Sequence, residues 1–115
     1  MIKIEAIVRE EKMEDVKEAL DEIEVHGITV YQVMGCGTQR GYKERVRGRD
    51  VDIKMLPKIK FEIVVSSEEW EQKTIKAIQE AAYTGCPGDG KIFSYRLDMV
   101  MRIRTKETGY KAIQP

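Results

Sequence analysis

Ile2, Ile4, Ala6 and Val8 alternate with polar or mixed neighbours, which is the period-two pattern of a strand with one face buried. From Met13 to Ile23 the spacing changes: Met13, Val16, Leu20 and Ile23 recur every three or four residues, with Glu and Lys between them, and predict an amphipathic helix. Gly27 follows as its expected left-handed stop, and the β-branched run Ile28–Met34 predicts a second strand. Ile59, Phe61, Ile63 and Val65 place a third strand over Lys58–Val65. Ser66-Ser67-Glu68-Glu69 reads as a capping box, with Ser66 accepting from the third helical N–H and Glu69 reaching back. The helix it opens carries a looser stripe, Trp70, Ile75, Ile78 and Ala82, so Trp70 is read as packing. A last strand is predicted through Ile103, with Phe93, Tyr95, Leu97, Met99, Met101 and Ile103 on one face. Ser94, Arg96, Asp98, Arg102 and Arg104 lie on the other, and only Val100 breaks the polar row.

The order strand, helix, strand, strand, helix, strand repeats one strand-helix-strand plan twice, as in the ferredoxin-like split unit. The expected class is α+β: one antiparallel sheet with two helices on one face, in a single domain spanning 1–115. On this reading the uncovered face carries Arg102 and Arg104, and Val33, Val64 and Val100 at nominally outer positions favour burial in an oligomer.

Two connections carry candidate chemistry. Residues 84–91, Thr-Gly-Cys-Pro-Gly-Asp-Gly-Lys, join the second helix to the last strand. Glycines let consecutive amides turn inward as an anion-binding nest, and Lys91 adds a positive charge; the alternative is a bare glycine-rich turn. Residues 38–57 show no apolar periodicity and are long for a link between neighbouring strands, a combination that is more often functional than incidental. They hold six basic residues, Arg40, Lys43, Arg45, Arg47, Arg49 and Lys54, against Glu44, Asp50 and Asp52. The segment reads as a protruding interaction arm or as a solvated insert.

Charge narrows the choice of partner. Twenty basic and twenty acidic residues cancel to zero net charge and are interspersed, which argues against a general nucleic-acid or membrane-surface binder. No apolar run has the length of a membrane span and the N-terminus lacks a signal pattern, so a cytoplasmic location is expected. Cys36 and Cys86 form neither a disulfide framework nor a zinc quartet. His26, at a helix-to-strand joint, reads as a helix-end cation or a surface residue. An enzyme would need an acid, base or nucleophile beyond Asp89, Glu62 and the two cysteines. An RNA reader would need aromatic side chains along the open sheet face, and on this reading the face carrying Arg102 and Arg104 has none on the last strand.

Fragments spread along the chain resemble the PII family of nitrogen-regulatory signalling proteins. They are Gly35-Cys36-Gly37-Thr38-Gln39-Arg40-Gly41, Arg47-Gly48, Leu56-Pro57-Lys58 with Phe61-Glu62-Ile63-Val64-Val65, Thr84-Gly85, Gly88 through Phe93, and Arg102-Ile103-Arg104-Thr105. They stand in register over nearly the whole chain, with one extra residue between Val65 and Thr84. The resemblance implies a homotrimer that is regulatory and not an enzyme, with slow ATP hydrolysis at most a side activity. ATP or ADP would lie in clefts between subunits. Gly37, Thr38, Gln39, Gly88, Asp89, Gly90 and Lys91 would line the nucleotide from one copy, and Thr29, Glu62, Val64, Arg102 and Arg104 from its neighbour. It further implies 2-oxoglutarate beside Mg2+ and ATP, with Gln39 on the metal, Arg40 and Gly41 completing the site and Lys58 pairing with the distal carboxylate. The C-terminal loop would be 103–115.

The resemblance also implies a protein target reached by the arm. For relatives that block ammonium channels, the arginine matching Arg47, beside Gly48, enters the pore. Yet Val51 stands where many relatives carry a modifiable tyrosine, and Arg49 where others are phosphorylated. Thr38 replaces a frequent basic residue, and Ser94 a usually apolar one. An ammonium transporter is slightly favoured as target over nitrogenase or glutamine synthetase, and Arg47 as a plain solvated charge stays open.

Overall fold

The computed structural model of the chain describes residues 1–36 and 55–114 throughout, and the backbone alone at 44–46 and 49–51. The elements run β1 (Ile2–Arg9), a 3-10 turn (Glu10–Lys12), α1 (Met13–Glu22), β2 (Ile28–Gly35), β3 (Glu44–Val46), β4 (Arg49–Val51), β5 (Leu56–Val65), α2 (Glu68–Ala82), β6 (Gly90–Arg96) and α3 (Tyr110–Ile113). Four of the strands form one antiparallel sheet in the order β2-β5-β1-β6. The two strands with the cleanest alternation, β1 and β5, are the central pair. Their inward residues Ile2, Ile4, Ala6, Val8, Ile59, Phe61, Ile63 and Val65 pack under Val16 and Leu20 of α1 and Ile78 and Ala82 of α2. Burying each larger side chain contributes roughly 1.5–3 kcal/mol, so this single layer between sheet and helices holds the domain together. The architecture is the ferredoxin-like α+β sheet that the repeated plan implies.

Both expected helix boundaries shift. The left-handed residue that closes α1 is Glu24, not Gly27: Glu24 lies at φ 62°, its N–H donates to the Asp21 carbonyl at 2.9 Å, and the Val25 N–H donates to the Leu20 carbonyl at 2.9 Å. That paired pattern closes a helix through one left-handed residue, and Val25 then packs against the core. The packing of Val25 fixes the stop, at the cost of a non-glycine in left-handed geometry. At α2 the cap is Ser67, whose hydroxyl accepts from the Trp70 N–H at 3.3 Å. With the cap moved one residue on, Glu69 no longer sits at the third helical position and pairs instead with Lys73 at 3.2 Å.

Thr74 of α2 is fully buried and its hydroxyl has no hydrogen-bond partner among the described residues. A buried, unsatisfied hydroxyl costs free energy that an isosteric methyl avoids. Thr74→Val is therefore expected to raise unfolding free energy by about 1 kcal/mol in urea titration; a loss of stability would show that the hydroxyl is satisfied.

The last strand departs most from expectation. β6 ends at Arg96, and its register puts Gly90, Ile92, Ser94 and Arg96 opposite Val8, Ala6, Ile4 and Ile2, on the helix side. Lys91, Phe93 and Tyr95 are on the open face, the reverse of the apolar-inward reading. Arg96 is tolerated there because it lies on an edge strand, where its guanidinium reaches Glu68 at 2.8 Å and Glu71 at 3.8 Å at the start of α2. Beyond Leu97, whose N–H donates to the Met1 carbonyl at 3.0 Å, the chain leaves the sheet. It folds into a narrow loop in which Met101 bridges Thr108, the Gly109 N–H donates to the Val100 carbonyl and the Arg102 N–H to the Glu107 carbonyl. Arg102 and Arg104 therefore belong to this loop and not to a sheet face.

The arm is also more regular than its pattern implies. β3 and β4 pair antiparallel, with Glu44 opposite Val51 and Val46 opposite Arg49, and Leu56 and Pro57 already belong to β5. Three-residue strands with one apolar residue each are too short to leave a period-two signal. Among the described residues, no helix is long and apolar enough to cross a membrane.

Candidate functional site

The loop after α2 is built around one carboxylate. Asp89 Oδ2 accepts from the N–H groups of Thr84 at 2.8 Å and Gly85 at 3.0 Å, while Oδ1 accepts from the Thr84 hydroxyl and from Arg9 Nε at 3.0 Å. The Thr84 hydroxyl oxygen in turn accepts from the Cys86 N–H at 3.2 Å. Gly85, Gly88 and Gly90 take φ of 84°, 102° and 105°, conformations open chiefly to glycine. Two cations of the neighbouring strands clamp the outside: Arg9 donates to the Pro87 carbonyl and Lys58 Nζ to the Gly88 carbonyl, each at 2.8 Å.

This geometry corrects the open nest read from sequence. The amides of Thr84, Gly85 and Cys86 are spent within the loop, and the Asp89 carboxylate organises the turn. Gly88, Gly90 and Lys91, with Lys58 and Arg9 beside them, remain as the cationic face. Arg9 carries no motif that would mark it in the sequence, and only its pairing opposite Lys58 in the sheet brings it to the loop.

The Thr84 hydroxyl and amide, then Arg9 and the Gly85 amide, hold the Asp89 carboxyl well below its ordinary value of 3.8. A carboxylate whose folded pKa is depressed contributes stability above its unfolded pKa and loses it as pH falls through the folded value. The loop is thus expected to stay intact on acidification past pH 3.8 and to open only well below it. A carbon-detected NMR titration of the Asp89 carboxyl checks this; a midpoint at or above the ordinary value would contradict it.

A second cluster lies at the other end of the sheet. Thr29, Glu62, Val64 and Arg102 line one cavity of about 800 Å³, together with Lys3, His26, Trp70 and the α3 residues Tyr110, Ala112 and Ile113. Trp70 therefore does more than pack: it rests against the core and also forms part of this wall. His26 stands at the rim with Nδ1 3.4 Å from Asp21 Oδ1.

Glu62 accepts from the Tyr31 hydroxyl at 3.1 Å and pairs with Lys3 at 3.5 Å and Lys60 at 3.8 Å. Partial burial works to raise its pKa, but the Tyr31 hydroxyl and the Lys3 charge outweigh it and the net shift is downward. Arg102 pairs with Glu107 at 3.5 Å and donates to the Gln114 carbonyl. Arg104 is exposed and forms no ion pair with a described residue.

The two clusters do not meet within one chain. Lys58 pairs with Arg9 and Val64 with Lys3, so they mark opposite ends of β5, about 20 Å apart at ~3.3 Å per residue. The glycine loop has its own smaller hollow of about 280 Å³, lined by Asp89, Gly90 and Lys91 with Ile7 and Val8. Among the described residues, no three His, Cys, Asp or Glu side chains converge as metal ligands. Gly37, Thr38, Gln39, Arg40, Gly41, Arg47 and Gly48 lie outside the described residues.

A ferredoxin-like sheet with a long insertion between its second and third core strands, a cationic glycine loop at one end and a mixed-charge cavity at the other defines a small domain of the α+β class. Residues 1–107 match the family model described as nitrogen regulatory protein P-II. The chain is 52% identical over 113 residues to nitrogen regulatory protein P-II 1 of Methanothermobacter thermautotrophicus, covering 98% of this chain and 97% of that protein. It is 49% identical to nitrogen regulatory protein P-II of Rhizobium meliloti and 48% to that of Rhodospirillum rubrum, in each case over 98% of this chain and all of the relative. The chain belongs to the nitrogen regulatory protein P-II family.

Proposed function

We propose that this protein is a nucleotide- and 2-oxoglutarate-responsive regulator that binds ATP or ADP in clefts between the copies of a homotrimer. The observation that carries this reading is the separation of the cationic glycine loop and the mixed-charge cavity beside Arg102 to opposite ends of one sheet. Neither is complete alone, and a head-to-tail ring brings the glycine loop of one copy to the Thr29, Glu62, Val64 and Arg102 cavity of the next. The exposed apolar side chains Phe93, Tyr95, Met99, Met101 and Ile103 supply a surface that such a ring would cover. Lys91, Arg102 and Arg104 are suited to phosphate, and Thr29 and Glu62 to a purine edge. Glu62 would exchange its bond from Tyr31 for one from the base.

In this reading Gln39 and the phosphates hold Mg2+, which takes oxygen ligands, and 2-oxoglutarate completes the site with Arg40, Gly41 and Lys58. Lys58 is already poised at the glycine loop through Gly88, so an arriving carboxylate would draw it away and couple ligand state to the base of the arm, 38–57. Calorimetry tests this: ATP and 2-oxoglutarate are expected to bind with positive coupling and to need magnesium, and ADP is not expected to support the 2-oxo acid. Equal binding of 2-oxoglutarate without ATP would remove Gln39 and Lys58 from the site.

The target is a protein of nitrogen assimilation, reached through the arm in the cytoplasm or, for a membrane target, at the membrane. Arg47 beside Gly48 favours an ammonium channel, because a guanidinium next to a glycine suits a narrow pore lined by carbonyl oxygens. Val51 and the charged neighbours of Arg47 suit nitrogenase or glutamine synthetase instead. Pull-downs in ADP and in MgATP with 2-oxoglutarate, using wild type and Arg47→Ala, separate the two. A channel captured in ADP, released by 2-oxoglutarate and lost in Arg47→Ala supports the pore; capture of a soluble enzyme overturns it.

A further inference from the structure

The chain after Arg102 turns back on the cavity that Arg102 lines. The loop 100–109 is held by the Met101–Thr108 bridge and by the Arg102 N–H to the Glu107 carbonyl at 2.9 Å. It delivers α3, whose Tyr110, Ala112 and Ile113 form one wall of the roughly 800 Å³ cavity. Gly109 makes the turn at φ 68° with nothing within 4 Å of its added-Cβ position, so the segment is set by its own backbone and not by crowding. The guanidinium of Arg102 is the point of attachment: one nitrogen meets the Glu107 carboxylate at 3.5 Å and the other donates to the Gln114 carbonyl. α3 is a single turn, and Tyr110 is 57% exposed, so little apolar burial holds the segment in place.

We propose that residues 110–114 form a strap across the cavity, which occupies Arg102 when no anionic ligand is present and gives it up when a polyphosphate arrives. The inference rests on the proposed nucleotide reading and adds a competitor to it. A guanidinium has five donors in a fixed fork. A polyphosphate offers it charged acceptors in place of one neutral carbonyl, so the exchange favours release of Gln114 once the ligand is seated. Glu107 stands beside the same guanidinium as a tethered anion and opposes the ligand by both competition and repulsion. Opening the strap subtracts from the binding free energy, which lowers the apparent affinity of the closed form.

The test compares ATP binding by the full chain with that of two variants. Tyr110→Ser/Ile113→Ser removes the small apolar contact that the strap makes with the cavity wall, and Glu107→Gln removes the tethered charge while keeping its shape. Calorimetry is expected to show ATP binding tighter by about three- to tenfold in each variant. In the wild type, amide exchange at Ala112, whose N–H donates to the Gly109 carbonyl at 3.0 Å, is expected to speed up on adding ATP. Trp70 is the chain's one tryptophan and lines the same cavity, so its fluorescence reports the opening independently. If all three chains bind ATP with equal affinity, or the variants bind it more weakly, the strap is a plain wall of the site and the competition is overturned while the nucleotide reading stands. If none of them binds ATP, the nucleotide reading falls and the strap with it.

Discussion

Gly90→Ala is expected to lower the unfolding free energy by at least about 3 kcal/mol. Gly90 opens β6 at φ 105°, and a Cβ built there would stand 1.7 Å from the Ile7 carbonyl oxygen and 2.8 Å from its carbon. Both atoms belong to the backbone of the central strand β1, so no side chain can swing aside. The left-handed backbone would itself be strained by any Cβ. The substitution must therefore lift β6 from β1 or break the turn after Asp89, and it takes Lys91 with it. Gly27→Ala is the control: no atom lies within 4 Å of its Cβ position and its φ is not left-handed, so a change within about 0.5 kcal/mol is expected. Urea unfolding of the two variants reads the difference; equal midpoints would show that β6 does not pack as described.

Lys91→Ala is expected to cost about 1.5–3 kcal/mol of ATP binding, hence about one to two decades of affinity, with little change in fold. Lys91 is exposed on the open face, opposite Ile7, and has no ion pair among the described residues, so its removal disturbs no packing. The contrast with Gly90 is the useful part. One variant fails through the backbone and the other only through the ligand, and calorimetry together with an unchanged thermal midpoint separates them. Unaltered affinity would take Lys91 out of the site.

The sheet was legible because β1 and β5 are buried on one face only. A strict period of two survives in Ile2–Val8 and Ile59–Val65, and the same argument found α1 from Val16 and Leu20. β6 was misread for a physical reason. The inward positions of an edge strand meet α2 only in part, so Ser94 and Arg96 are accepted there, while Phe93 and Tyr95 lie on the uncovered face. Alternation continued through Ile103 because the turn-back loop also alternates, so period alone could not report that the chain had left the sheet. Glu24 and Ser67 show the same limit at helix ends, where the packing of Val25 and the placement of Trp70 set the boundary and the residue preferences of caps do not.

The glycine loop was visible as a motif, but its organiser was not. Asp89 is marked as a nucleotide contact by the resemblance, which says nothing of the bonds to Thr84 and Gly85 that shape the turn. Its partner Arg9, eighty residues away, could come to light only through the β1–β5–β6 register. Thr29, Glu62, Val64 and Arg102 could be grouped from the family resemblance alone. The structure brings them to one cavity by pairing Thr29 with Glu62 across β2 and β5 and by turning the chain back after Arg102.

The central claim, that one nucleotide site is shared between two copies, is tested most directly by mixing two inactive chains. Lys91→Ala spoils the loop side of every cleft and Arg102→Ala the cavity side, so each protein alone should bind ATP weakly. Refolded together in equal amounts, they form rings in which about one quarter of the clefts join an intact loop to an intact cavity, if assembly is random and head-to-tail. Calorimetry of the mixture is expected to recover wild-type affinity at about a quarter of the sites. No recovery, with both variants folded and exchanging subunits, would mean that each chain binds its nucleotide alone.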